Sequence, residues 1–161
     1  MPVIQSTHDT DTLTMTVITE FGAAPERVWE VWADPRQLER WWGPPTWPAT
    51  FVEHELTTGS RTSYYMTGPD GDRAAGLWLI TAVDAPHRVE LDDSFADAEG
   101  NPDESMPVSH MRMTLEPAAS GTRMTLVTEF ASREQLDQLL EMGMEEGMTL
   151  ALGQIDGILA E

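Results

Sequence analysis

Residues 13–21 alternate apolar side chains with threonine and glutamate, the period-two pattern of a half-buried strand. Gly22-Ala23-Ala24 breaks the alternation. Pro25 then suits the first turn of a helix, and Glu26 suits its positive end. Val28, Trp29, Val31 and Trp32 follow at helical spacing. Asp34-Pro35 interrupts, and a second short helix carrying Leu38, Trp41 and Trp42 is expected to end at Gly43-Pro44-Pro45.

Alternation then resumes in short runs separated by turn residues. Strands are expected over 50–56, 61–66, 74–83, 88–95, 106–116 and 122–130. Thr58-Gly59-Ser60, Pro69-Asp70-Gly71-Asp72 and Asp84-Ala85-Pro86-His87 supply the turns, and a polar loop spans 96–105. Such close spacing argues an antiparallel meander.

The last segment changes period. Ser132 and Gln135 read as a capping box. Leu136, Leu140, Met144, Met148, Ala151, Ile155 and Ile158 follow a 3.6-residue repeat, so one long helix is expected to about residue 159. The order predicts an α+β fold: a curved seven-stranded antiparallel sheet, two short helices after the first strand, and a long C-terminal helix across the sheet. Each partner then buries the other's apolar face. A single domain is expected over 11–161, after a flexible N-terminus at 1–10.

Four of the six tryptophans fall within fourteen residues, 29 to 42. The segment Pro25…Val28-Trp29…Trp32…Asp34-Pro35…Leu38…Trp41-Trp42-Gly43-Pro44 resembles the opening signature of Hsp90 ATPase activator homologue-like proteins. That group belongs to the START/Bet v 1-like helix-grip superfamily. Glu55-Leu56 with Thr58-Gly59-Ser60, Pro86-His87-Arg88-Val89, Gly121-Thr122-Arg123 and Gly143-Met144-Glu145-Glu146-Gly147 resemble later parts of the pattern. The resemblance spans residues 13–159. It implies a cavity between sheet and C-terminal helix, and relatives that bind lipids, polyketides and other hydrophobic molecules, a few of them as cyclases or hydrolases. The Hsp90-activating role belongs to two-domain eukaryotic proteins. One departure matters: Met148 stands where the family usually has tryptophan, leaving a smaller, adaptable wall.

Composition narrows the partners. The net charge of -19 repels phosphate backbones and anionic membranes, and the nine basic residues, all arginine, are scattered. Neither nucleic acid nor a membrane is expected as a partner. No apolar run approaches the ~18 residues of a membrane span, and the start lacks a signal-peptide pattern, so a cytoplasmic location is expected. Without cysteine there is no disulfide or thiolate chemistry. No histidine pair has metal-ligand spacing, and no phosphate loop, dinucleotide fingerprint or nucleophile elbow occurs. No cofactor, metal or catalytic residue is therefore expected. The acidic run over 97–104 echoes a calcium loop faintly, but Pro102 occupies the turn position and no flanking helices are predicted.

The primary expectation is a small hydrophobic or aromatic ligand held by Trp32, Trp42, His54, Tyr64, Met66, Trp78, Met111, Met113, Met144, Gly147 and Met148. The methionines read either as core filler or, taken together, as the lining of an adaptable pocket. Gly143 and Gly147 lie on the apolar stripe of the expected helix, either freeing volume for a ligand or letting helix and sheet pack closely. His54 alternates with Val52 and Leu56; it is either a hydrogen-bonded core histidine or a group that orients a ligand or acts as acid/base. The alternatives are a cyclase or hydrolase built on His54, and a chaperone-linked interaction protein with an acidic docking face. A homodimer or an unknown protein partner is compatible with either.

Overall fold

The computed structural model describes residues 3–97 and 99–161. Eight antiparallel strands form one sheet, ordered β1-β2-β8-β7-β6-β5-β4-β3. They are β1 (Val3–Asp9), β2 (Thr14–Phe21), β3 (Ala49–Glu53), β4 (Arg61–Thr67), β5 (Arg73–Asp84), β6 (Arg88–Ala96), β7 (Ser109–Ala118) and β8 (Gly121–Phe130). Two short helices, α1 (Pro25–Ala33) and α2 (Pro35–Leu38), follow β2. The chain closes with α3 (Arg133–Glu141), α4 (Met144–Leu152) and α5 (Ile155–Leu159).

The expected strands and the early helix pair are present, although α2 ends at Leu38 and β3 at Glu53, leaving Trp41, Trp42, His54 and Leu56 beyond their ends. There are three larger corrections. First, the sheet has eight strands rather than seven, because β1 pairs with β2 where a flexible N-terminus was expected. An edge strand is held by main-chain bonds along one side, so its polar side chains leave no alternation to read. Second, the expected 106–116 strand begins at Ser109, after Pro107, which has no N–H to give a ladder. Third, the long C-terminal helix is three helices. Gly143 sits at φ 85, the left-handed conformation that ends a helix, and a turn at Gly153-Gln154 separates α4 from α5. Half of the capping box forms: Ser132 Oγ accepts from Gln135 N at 3.2 Å, while Gln135 Oε1 accepts from Ala131 N, one residue before the cap, at 3.3 Å.

The inner face of the sheet is set by register. Phe51, Tyr64, Gly76 and Phe95 stand side by side across β3 to β6. The next row holds Thr62, Trp78, Asp93, Ser109 and Phe130. Ile80, Leu91, Met111, Thr128 and Met15 make a third. Over this face close Val28, Val31, Trp32, Leu38 and Trp41, all fully buried. Trp29 is only half-buried, outside the indole cluster.

Gly76 is a tight point of this face. The Tyr64 ring lies so close that a Cβ added at Gly76 would sit 2.4 Å from the ring and its hydroxyl. Tyr64 cannot yield cheaply, being stacked on Phe51 at 5.0 Å and hydrogen-bonded to Asp93 at 3.0 Å. Gly76→Ala is expected to cost about 1–3 kcal/mol by overpacking, measured as a lower urea midpoint with unchanged m-value.

Candidate functional site

A cavity of about 230 Å³ lies between the inner face of the sheet and the α3–α4 junction. From the sheet come Tyr64, Met66, Asp93, Ser94, Phe95, Ser109, Met111 and Thr128. Trp42 and Pro44 close the side next to the early helices. Leu139, Met142, Gly143, Met144, Gly147 and Met148 form the roof, and exposed Met142 marks its outer side. Gly143 explains the position of this roof: the helix breaks there, and α4 restarts with Met144, Gly147 and Met148 on one face.

Seven of the eleven residues expected at a site meet on this cavity: Trp42, Tyr64, Met66, Met111, Met144, Gly147 and Met148. Trp32, Trp78 and Met113 do not; each is fully buried in the core behind it. Trp32 donates its indole N–H to Met124 Sδ at 3.3 Å, and Trp78 meets Trp42 edge-to-face at 4.8 Å.

His54 is also elsewhere, which corrects its expected role. It follows the end of β3, with Nε2 at 2.7 Å from the Trp32 carbonyl and Nδ1 at 2.9 Å from Thr62 Oγ1. A carbonyl can only accept, so Nε2 carries the proton. Burial lowers the pKa of His54 despite the backbone hydrogen bond, leaving a neutral ring whose Nδ1 accepts from Thr62. Both nitrogens are occupied in tying the end of α1 to the sheet. The acidic loop is equally self-contained where described: Asp97 Oδ1 accepts from the N–H of Glu99 and of Asn101.

The polar centre of the cavity is Asp93, which was not among the expected residues. Its signal was present in the chain: Val89, Leu91, Asp93 and Phe95 share one strand parity, and Val89 and Leu91 are almost fully buried. An acid on that parity has to point inward. Tyr64 donates its hydroxyl to Asp93 Oδ1 at 3.0 Å. Asp93 is half-buried because the cavity touches it, yet protein packs around it densely enough to control its ionisation. Desolvation raises its pKa to about 7, against the smaller opposing pull of hydrogen bonds from Tyr64 and the Trp78 indole. The Trp78 N–H lies close enough to exert that pull but makes no hydrogen bond of good geometry. Burial, and then the Asp93 charge, push the Tyr64 hydroxyl well above its ordinary value, so it stays protonated.

Comparison with known proteins agrees with this architecture. The family model described as activator of Hsp90 ATPase homolog 1-like protein matches residues 22–160. A Mycobacterium smegmatis protein of known crystal structure is 51% identical, with a TM-score of 0.91 over 98% of this chain and 97% of that one. An Arthrobacter aurescens protein solved by NMR is also 51% identical, with a TM-score of 0.94 over 98% of this chain and 92% of that one. An AHSA1 protein from Silicibacter pomeroyi is 25% identical, with a TM-score of 0.72 over 91% and 97% of the two chains. Among curated proteins, no relative matches the chain.

Asp93 sets a pH dependence whose sign is fixed. Its folded pKa lies above the unfolded value, so the folded state binds the proton more tightly, and this stabilisation is lost as pH rises toward and through about 7. Tyr64, the other titratable group on the cavity, stays protonated throughout this window. Asp93→Asn keeps an acceptor for Tyr64 and removes the ionisation. The variant is expected to gain on wild type by about 2–3 kcal/mol between pH 5 and 8. Paired thermal melts at the two pH values check this; a gap that stays constant or narrows contradicts it.

Proposed function

We propose, starting from the family of activator of Hsp90 ATPase homolog 1-like proteins to which this chain belongs, that the cavity binds a compact hydrophobic or aromatic molecule in the cytoplasm. The observation that carries this reading is an apolar hollow with one convergent polar pair, Asp93 and Tyr64. Trp42 and Phe95 supply flat apolar walls, while Met66, Met111, Met144 and Met148 supply walls that reshape themselves. At about 230 Å³ the cavity falls just below the usual range for ligand pockets, roughly 300–1,000 Å³. That size favours a compact body over a long acyl chain. Family membership alone is compatible with a co-chaperone-like role too; the cavity is what favours the ligand.

One observation supports a second reading, an enzyme of cyclase or hydrolase type. A carboxyl with a pKa of about 7, inside a hollow and touching a tyrosine hydroxyl, suits general acid–base work near neutral pH. In that version the acid/base is Asp93, and His54 has no part. Consumption of a bound compound over time by wild type, absent in Asp93→Asn, separates enzyme from binder.

Gly147 supplies the test of the binding reading. It lies on α4 at the cavity, and a Cβ there meets nothing within 4 Å. Gly147→Leu is expected to project into the hollow while gaining up to about 1 kcal/mol of helix propensity. Titration with an environment-sensitive apolar dye should show binding to wild type and at least about tenfold weaker binding to the variant, with no loss of melting temperature. Equal dye binding by both proteins would place the ligand elsewhere.

A further inference from the structure

The cavity has only one kind of charge. Among the described residues no arginine or histidine lines it, and Asp93 is its sole ionisable carboxyl. Its other side chains are aromatic, thioether, aliphatic or hydroxyl. An anionic head group would therefore lie beside Asp93 with no positive partner, in surroundings that screen charge poorly. A carboxylate ligand is the wrong sign for this hollow. A neutral ligand would fill it and leave the ionised form of Asp93 without a counter-charge.

A cation meets complementary groups. The rings of Trp42 and Tyr64 stand 6.1 Å apart at 82°, forming a corner. Tyr64 brings its hydroxyl to Asp93 Oδ1, so the carboxyl sits beside one wall of that corner. Aromatic faces attract organic cations, most strongly where water is displaced, and a carboxylate completes the neutralisation. The rest of the lining, Met66, Met111, Met144 and Met148, is soft and apolar, fit for a hydrocarbon body. Outside, the chain's charge of -19 concentrates cations around the molecule and repels anions.

We infer that the preferred occupant is a lipophilic amine: a compact apolar body carrying one ammonium group, the ammonium paired with Asp93 against Trp42 and Tyr64, the body among the methionines. The inference rests on the reading of this hollow as a ligand site. It also explains how a carboxyl can be retained in an apolar hollow, since the ligand brings the counter-charge that the fold withholds. When the ammonium binds to protein whose Asp93 is protonated, the O–H bond of Asp93 breaks. The proton passes to buffer, leaving a carboxylate–ammonium pair.

Three probes sharing one ring system separate the possibilities: 2-naphthylmethylamine, 2-naphthylmethanol and 2-naphthoic acid. Each is titrated calorimetrically into wild type, Asp93→Asn and Gly147→Leu at about 0.15 M salt, which screens surface attraction. Wild type should bind the amine at least about tenfold tighter than the alcohol, and the acid most weakly. Asp93→Asn should bring amine and alcohol to within about twofold of each other. At pH 6, amine binding to wild type should release protons, seen as a heat that depends on the buffer. That dependence should vanish in Asp93→Asn, because Tyr64 stays protonated. Alcohol bound as tightly as amine, or an amine preference that survives Asp93→Asn, overturns the inference and leaves the ligand-site reading standing. Binding by none of the three, or equal binding by Gly147→Leu, overturns both.

Discussion

The edge-to-face contact of Trp42 with Trp78, 4.8 Å between ring centroids, joins the turn after α2 to the middle of the sheet. Most of the architecture around the cavity hangs on it. Trp78 stands on β5 next to Asp93 in the register of β6. Trp42 leads through Trp41 to Trp32, at 5.7 Å and then 4.8 Å, and so to the end of α1. Aromatic pairs in these geometries each add about 0.5–1.5 kcal/mol beyond the area they bury. The same cluster is tied by polar bonds at its rim. Trp41 donates to the Val31 carbonyl, His54 bridges Trp32 to Thr62, and Gln154 Nε2 reaches the carbonyls of Trp41 and Gly43. The indoles are thus a latch between helices and sheet, and of them only Trp42 lines the cavity.

That latch closes one side of the inner face and leaves the other to α3 and α4. There the packing is of a different kind. In place of interlocked rings stand methionines, two glycines and a helix break at Gly143. Rigid packing on one side and adaptable packing on the other leaves a hollow at their junction. Asp93 lies at that junction, held by Tyr64, which Gly76 in turn makes room for. A charged group there opposes folding at neutral pH, a cost a protein retains where the group has work to do.

Much of this was legible in the chain because it depends on local periodicity. The alternation of residues 14–21 and 121–130, the Pro25 start of α1 and the Ser132 cap of α3 each follow from side chains acting on their own backbone. The tryptophan spacing was equally readable, and with it the family. The strand β1 was not, because polar residues pairing through main-chain bonds carry no pattern. The breaks in the C-terminal helix were masked by a good apolar repeat. Gly143 fits the stripe at its position, and its left-handed φ of 85° belongs to three-dimensional packing.

What the sequence by itself determined was the order of elements from β2 to β8 with the early helix pair, the buried face of the alternating strands, and the tryptophan spacing. Those follow from period and from the size of the indole ring. What only the tertiary structure decided was which inward residues share a space. Strand parity placed His54, Trp78 and Met113 inside as readily as Tyr64 and Met111, yet the first three pack against neighbours and the last two face the hollow. Parity likewise placed Asp93 inward, but not opposite Tyr64 and beneath α4. The register across β4, β5 and β6 made that meeting, because contacts between strands are set by long-range pairing that a single strand's pattern does not encode.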